Sequence, residues 1–163
     1  MESNIDLTQI ISSLPTEDKV IVSRLHETAL ALGYMAKLSP VGKKPNDWKC
    51  EYIATKPKRV LYILRITGQQ FSIRAKLIHI SEYSDVLENC TEHCKASLLS
   101  ASKDCENHGG GCAGPVSFTI DGKSYSKCRH FFLFKGITSE DMEDIQRLLQ
   151  NEAKNLNNIY KCV

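Results

Sequence analysis

The spacing of apolar residues along this chain predicts helices near both ends and strands between them. Residues 16–33 place apolar side chains at helical intervals and end at a glycine, which is typical of a helix C-terminus. Residues 59–66 and 71–78 alternate between apolar and polar positions on either side of a polar turn. This alternation predicts a β-hairpin with one buried face and one polar face.

Further elements follow from the same pattern. Residues 82–100 predict a single helix that carries Cys90, His93 and Cys94 on neighbouring faces. Thr138 with Asp141 resembles a capping box and begins a final helix. Short strands are predicted at residues 34–38, 48–54, 116–120, 123–126 and 131–134.

The order of these elements predicts the fold class. Helices precede, interrupt and follow antiparallel hairpins, and no βαβ alternation is present. We therefore expect an α+β fold, a single mostly antiparallel sheet with packed helices. No linker or internal repeat divides the sequence, so residues 1–163 are predicted to form one domain.

Composition indicates where such a protein works. The chain is 42% apolar and 25% charged, as in an ordinary globular protein. It has no long apolar run and no secretory pattern at its start, which predicts a cytoplasmic protein with no membrane partner. Clustered cysteines in a reducing compartment more often bind metal or perform redox chemistry than form disulfides.

The cysteine-rich segment, residues 90–130, carries the most specific chemistry. Cys105, His108, Cys112 and Cys128 supply four nitrogen or sulfur ligands around three consecutive glycines. Zinc favours four such ligands in a tetrahedron, and a closed set is usually structural. The hairpin signal Asp121-Gly122 returns the chain towards the glycine loop, as in a zinc ribbon. We therefore predict a zinc ion in a ribbon-like hairpin.

Two alternatives to that ligand set stay open. Cys90 and Cys94 are alternate ligands that replace His108 or Cys128. In the other alternative the cysteines are free thiols, because cysteine is often simply buried. Nearby cations would lower a thiol pKa, which keeps a thiol-based enzyme or redox sensor open, with Cys105 or Cys112 as the reactive group.

The segment from Cys105 to Phe134 resembles that of a known family. It is similar to the cysteine-rich segment of small, uncharacterised proteins of clostridia and other Firmicutes. Their pattern is C-x2-C-x3-C, a hairpin containing Asp-Gly-Lys and Tyr, then a cysteine and an aromatic strand, and His108 takes the place of the second cysteine. The resemblance implies a bacterial cytosolic protein with a zinc-like site and implies no activity. At the level of fold, the first long helix and the basic hairpin also resemble MmcQ/YjbR-type proteins, which implies no function.

The basic hairpin at residues 59–78 offers a second candidate surface. Residues 1–80 contain twelve basic and seven acidic side chains, a net charge of +5. Arg65, Arg74 and Lys76 are candidates for binding an anion or a nucleic acid. Exposed aromatic residues for base stacking are not evident there, so a solvated surface is the favoured interpretation.

Together these observations predict a metal-binding domain that acts as a binding module for a small molecule or macromolecule. Common catalytic motifs, such as Gly-x-Ser-x-Gly or His-Glu-x-x-His, are missing from the sequence, which disfavours an enzyme. The alternatives are a nucleic-acid-binding or regulatory protein and a thiol-based enzyme or redox sensor.

Overall fold

The computed structural model of this chain describes residues 6–44, 46–55, 58–100, 114–128 and 131–158. Within these residues the strands are β1 (Met35–Pro40), β2 (Asp47–Thr55), β3 (Lys58–Thr67), β4 (Gln70–Ala75), β5 (Val116–Ile120), β6 (Lys123–Lys127) and β7 (Phe132–Lys135). The α-helices are α1 (Leu7–Ile11), α2 (Thr16–Ala31), α3 (Ser84–Glu88), α4 (Glu92–Ser100) and α5 (Ser139–Asn158), and a short 3₁₀ helix spans Ile80–Glu82. No helix in these ranges is long and apolar enough to cross a membrane.

The strands form two antiparallel sheets. The larger has the order β1-β2-β3-β4-β7, and β5 and β6 form a separate two-stranded hairpin. The predicted α+β class is therefore confirmed. The zinc-ribbon-like hairpin stays a prediction, because residues 101–113 and 129–130 lie outside the described residues.

The hairpin predicted at residues 59–78 is present as β3 and β4, but β4 ends at Ala75, so residues 76–78 do not belong to the strand. Gly68 lies in the turn with φ = 61°, a left-handed conformation that favours glycine. Phe71, Ile73 and Ala75 are buried in the core, as their alternation predicts. The intervening residues of β4, Gln70, Ser72 and Arg74, face away from the core, so this strand presents polar side chains on its outer face.

The core lies between the sheet and the two long helices. Tyr52 and Tyr62, on neighbouring strands, stack with ring centroids 4.2 Å apart. The Tyr62 hydroxyl donates a 2.8 Å hydrogen bond to the Leu25 carbonyl of α2. This contact satisfies a buried hydroxyl and ties α2 to β3.

The prediction of a single helix over residues 82–100 is wrong. The chain instead forms the 3₁₀ turn, α3 and α4, with a break at residues 89–91. Thr91 explains the break, because its hydroxyl accepts the Cys94 N–H at 3.1 Å and so caps α4. The Thr91 N–H donates outside the helix, to the Asp144 carboxylate at 2.7 Å. Cys90 therefore precedes α4 and does not lie within a helix.

Glu152 of α5 joins this helix to the chain that follows β4. Its side chain is 0% exposed and accepts hydrogen bonds from the Ile78 N–H at 3.2 Å, the His79 N–H at 3.0 Å and the Tyr83 hydroxyl at 3.0 Å. The His79 Nδ1 lies 2.9 Å from the same carboxylate. A buried carboxylate requires such donors, so Glu152 specifies how residues 78–83 pack on α5.

We predict that Glu152→Gln destabilises the fold by about 1–3 kcal/mol, although the two side chains have the same shape. The amide offers one acceptor oxygen and turns an N–H₂ group towards donors that need an acceptor. Urea unfolding of both proteins measures the loss, and Glu143→Gln at an exposed site of α5 is the matched control. Equal stability of Glu152→Gln and the control would contradict this role.

Candidate metal site between α4 and α5

The four ligands predicted from the sequence are only partly described. Cys105, His108 and Cys112 lie outside the described residues. Cys128 directly follows β6 and is half-buried. The proposed zinc ligation by these four residues therefore stays a prediction.

The two alternate ligands lie together and with a carboxylate. The Cys90 and Cys94 sulfurs and a carboxylate oxygen of Asp144 all lie within 4.8 Å of one another. The three residues are 6%, 1% and 5% exposed, respectively. Atoms at this separation are close enough to share one metal ion after small side-chain movements, since zinc–ligand distances are about 2.0–2.3 Å.

Three separate segments position these groups. Cys90 lies in the connection between α3 and α4, Cys94 lies in the first turn of α4, and Asp144 lies near the start of α5. The Thr91 N–H holds the Asp144 carboxylate at 2.7 Å. The capping residue between the two cysteines thus also orients the third member of the cluster.

Asp141, one turn before Asp144 in α5, also contacts the start of α4. Its carboxylate accepts hydrogen bonds from the Thr91 hydroxyl at 2.6 Å and the Thr138 N–H at 2.9 Å, and His93 Nδ1 lies 2.7 Å away. Burial alone would raise the pKa of Asp141, but these hydrogen bonds outweigh burial and lower the pKa to about 2. The predicted capping interaction between Thr138 and Asp141 is confirmed, since the Asp141 N–H also lies 3.4 Å from the Thr138 hydroxyl oxygen.

The Cys94 thiol is in an environment that favours its protonated form when no cation is bound. The hydrogen bond with Cys90, together with burial, raises the pKa of the Cys94 thiol. The Cys90 thiol donates to the Val86 carbonyl at 3.1 Å. A divalent cation reverses this preference, because a metal ion binds the thiolate and displaces its proton.

Sequence reasoning did not identify Asp144 as part of this site. A signal for it exists in the buried stripe of α5, where three acidic residues occupy positions otherwise held by apolar side chains. The stripe consists of Asp141, Met142, Asp144, Ile145, Leu148, Leu149, Glu152, Ala153 and Leu156. A carboxylate on the buried face of an amphipathic helix needs a specific partner, which marks it as a candidate ligand or structural anchor.

Two of the three predicted anion-binding residues, Arg65 and Arg74, lie on the outer face of the larger sheet and line one groove, and Lys76 is not among the lining residues of that groove. Arg65 in β3 and Arg74 in β4 are exposed, and Lys76 directly follows β4 and is half-buried. Lys135 of β7, which sequence reasoning did not include, lines the same groove as Arg65 and Arg74. The alternation of buried Phe132 and Phe134 with Leu133 and Lys135 could have identified it.

Comparison with known proteins gives no independent indication of function. No protein-family model, curated protein or solved structure matches this chain.

We predict that Asp141→Asn destabilises the protein by about 2 kcal/mol near neutral pH. The basis is the pKa of the Asp141 carboxyl, which folding lowers from 3.8 to about 2. A carboxyl whose folded pKa is lowered contributes stability above its unfolded pKa and loses it as pH falls through the folded value. The difference between Asp141→Asn and wild type should therefore shrink as pH falls from about 4 to about 2.

Urea unfolding in the presence of a chelator, over a series of pH values, measures this difference. The exposed neighbour Glu140→Gln serves as the control for loss of charge at the start of α5. A stability difference that stays constant across the acid range would show that the hydrogen-bonded carboxylate is not its source.

Proposed function

We propose that this protein is a metal-binding module that holds one structural zinc ion through Cys90, Cys94 and Asp144. The observation that carries the proposal is the approach of three buried ligand atoms to within 4.8 Å of one another. Two of these residues are the alternates that sequence spacing indicated, and the third comes from a distant helix.

The ligand chemistry favours zinc among the common divalent cations. Thiolates are soft ligands that select zinc, whereas magnesium and calcium take oxygen ligands. A site with two cysteines and one aspartate leaves one tetrahedral position. We propose that the cysteine-rich segment supplies the fourth ligand, from among Cys105, His108, Cys112 and Cys128.

The role of the ion in this proposal is to tie α4 to α5. The three ligands come from both sides of that junction, and a structural zinc contributes free energy to folding where its ligands lie. The surrounding groups, Thr91 and Asp141, hold the same two segments together by hydrogen bonds. The bacterial cytosolic setting implied by the family resemblance fits a zinc–thiolate site and stays a prediction.

A reactive thiol at this site is less well supported. Cys94 is 1% exposed, and its pKa is raised by its hydrogen bond with Cys90 and by burial. Redox-active and nucleophilic cysteines need the opposite, an accessible thiol with a lowered pKa. The Cys90–Cys94 pair therefore favours metal binding or simple burial over thiol chemistry.

The test is the metal content of variants purified without chelator or added metal. Wild type should contain about one zinc per chain, and Cys90→Ser/Cys94→Ser should contain none above background. Asp144→Asn should weaken zinc affinity by ~10-fold or more, since even groups outside the ligand sphere contribute 10- to 100-fold. The neighbouring Glu143→Gln, an exposed residue, is the matched control.

Substitution with cobalt(II) then reports the ligands directly. A tetrahedral cobalt–thiolate spectrum should disappear in Cys90→Ser/Cys94→Ser and persist in Cys105→Ser/Cys112→Ser, with a changed spectrum if Cys105 or Cys112 is the fourth ligand. If only the second variant loses its metal, the ligand set predicted from sequence alone is correct and the cluster at α4 and α5 is not the site. Wild-type protein without metal, with every thiol titratable, would overturn the function itself.

We also predict that removing the metal loosens one part of the fold selectively. Chelation should raise amide hydrogen exchange in α4 and the first half of α5, because the ion would link them. Exchange in β2, β3 and β4 should change little, since these strands are paired to one another and carry the apolar core. Uniform acceleration throughout the chain would contradict this local role.

A further inference from the structure

The face of the larger sheet that points away from the core carries a row of basic side chains. The register pairs Arg65 of β3 with Ser72 of β4, and Ser72 with Lys135 of β7. Residues paired across antiparallel strands point to the same face, and residues two apart on one strand do as well. Arg65, Ser72, Lys135 and Arg74 therefore share one face of the sheet.

These residues line a single open groove. Its volume is about 530 Å³, and its lining includes Arg65, Ser72, Arg74 and Lys135. Ser72 lies between Arg65 and Lys135, and Leu133, directly opposite Arg74, is also part of the lining. Neighbouring strands are about 4.8 Å apart, so the backbones of Arg65 and Lys135 lie about 10 Å apart across β4. Long side chains reach across that distance, which lets all three cations meet one ligand.

The three cations have no acidic partner in the part of the chain that the structure describes. The ion pairs found there involve other residues, among them Lys49 with Glu51 at 3.4 Å on the same sheet face. One carboxylate, that of Asp18 in α2, is among the described residues that line the groove. Three cations against one carboxylate leave the groove with a net positive charge, which complements an anion.

The lining also indicates which kind of anion fits. Nonspecific binding of single-stranded nucleic acid relies on aromatic side chains that stack on bases. Phe71 is the aromatic residue among the described residues that line the groove, and its ring is buried in the core with 9% exposed. The other strand residues of the lining, Arg65, Thr67, Gln70, Ser72, Arg74, Leu133 and Lys135, are not aromatic. The sequence pI of about 8.1 is also modest for a nucleic-acid-binding domain, for which values above about 9 are typical. These features favour a compact, multiply charged anion.

We infer that this groove binds the diphosphate or triphosphate group of a small molecule, held by Arg65, Arg74 and Lys135 with Ser72 as a neutral donor. Arginine suits this role because its planar guanidinium donates two parallel hydrogen bonds to phosphate oxygens. The inference is independent of the metal site, because none of these residues belongs to the cluster at α4 and α5. It gives the binding module a class of ligand.

The experiment is a titration of the full chain with inorganic pyrophosphate and with inorganic triphosphate, followed by amide chemical shifts and calorimetry at low salt. Amides of β4 and β7 around Ser72 and Leu133 should shift. Arg74→Ala/Lys135→Ala should weaken binding by about 10-fold or more, as expected for the loss of hydrogen bonds to charged groups. Zinc content is measured before and after, because these anions also bind free metal.

Two further variants distinguish specific binding in the groove from nonspecific attraction to a positively charged surface. Lys37→Ala/Lys58→Ala removes the same charge at the β1 side of the sheet, outside the groove, and should leave binding within about twofold. Asp18→Asn removes the carboxylate in the lining and should tighten binding by about fivefold, the value of an exposed charge pair. A gain of affinity cannot arise from misfolding, so this variant tests the site even if others are destabilised.

Three results would overturn the inference. The first is no binding of either anion at low salt. The second is equal weakening by the groove variant and the Lys37→Ala/Lys58→Ala control, which would show nonspecific attraction. The third is binding of a short single-stranded oligonucleotide more than ~10-fold tighter than triphosphate and lost in the groove variant, which would assign the surface to nucleic acid.

Discussion

A carboxylate that folding removes from water must find donors or cations, and the buried face of α5 carries three such groups. Glu152 accepts from two backbone amides and the Tyr83 hydroxyl, Asp144 accepts from the Thr91 N–H, and Asp141 accepts from the Thr91 hydroxyl and the Thr138 N–H. Unpaired, each would cost several kcal/mol. The segments between β4 and α4 therefore pack on α5 in the arrangement that supplies these donors.

The candidate metal site is a consequence of the same constraint. Thr91 serves both aspartates, and it does so by leaving the helical path at residues 89–91 and capping α4. The break places Cys90 before the helix and Cys94 within its first turn, with both sulfurs beside Asp144. Positions that bury a carboxylate next to two thiols gain little from apolar packing alone. The zinc ion that we propose there would offset this cost by binding all three groups.

The two faces of the larger sheet differ in their side chains. The inner face carries the aromatic and aliphatic core, including the stacked Tyr52 and Tyr62. Side chains alternate between the two faces along a strand. The strands that place the core residues on the inner face therefore place Arg65, Arg74 and Lys135 on the outer face. The basic groove thus rests on strands that are paired to one another, which is the kind of support that the proposed binding of a charged ligand requires.

The sequence by itself determined the elements whose patterns are local. Period-two alternation predicted β3, β4 and the outward direction of Arg65 and Arg74, and the Asp121-Gly122 turn predicted the β5–β6 hairpin. The α+β class followed from the order of these elements. Such features depend on neighbours within a few residues, so their information is contained in short stretches of chain.

Only the tertiary structure decided which residues that are far apart in the chain come into contact. The break before α4 replaced a predicted helix because Thr91 meets two carboxylates about 50 residues away, and a local pattern contains no record of that partner. Asp144 joined Cys90 and Cys94 for the same reason. Likewise β7 pairs with β4, which brings Lys135 to Ser72 and Arg65, although any strand edge offers the same backbone groups. Local periodicity determines which side of an element is buried, whereas the choice of partner depends on how all the buried faces are satisfied at once.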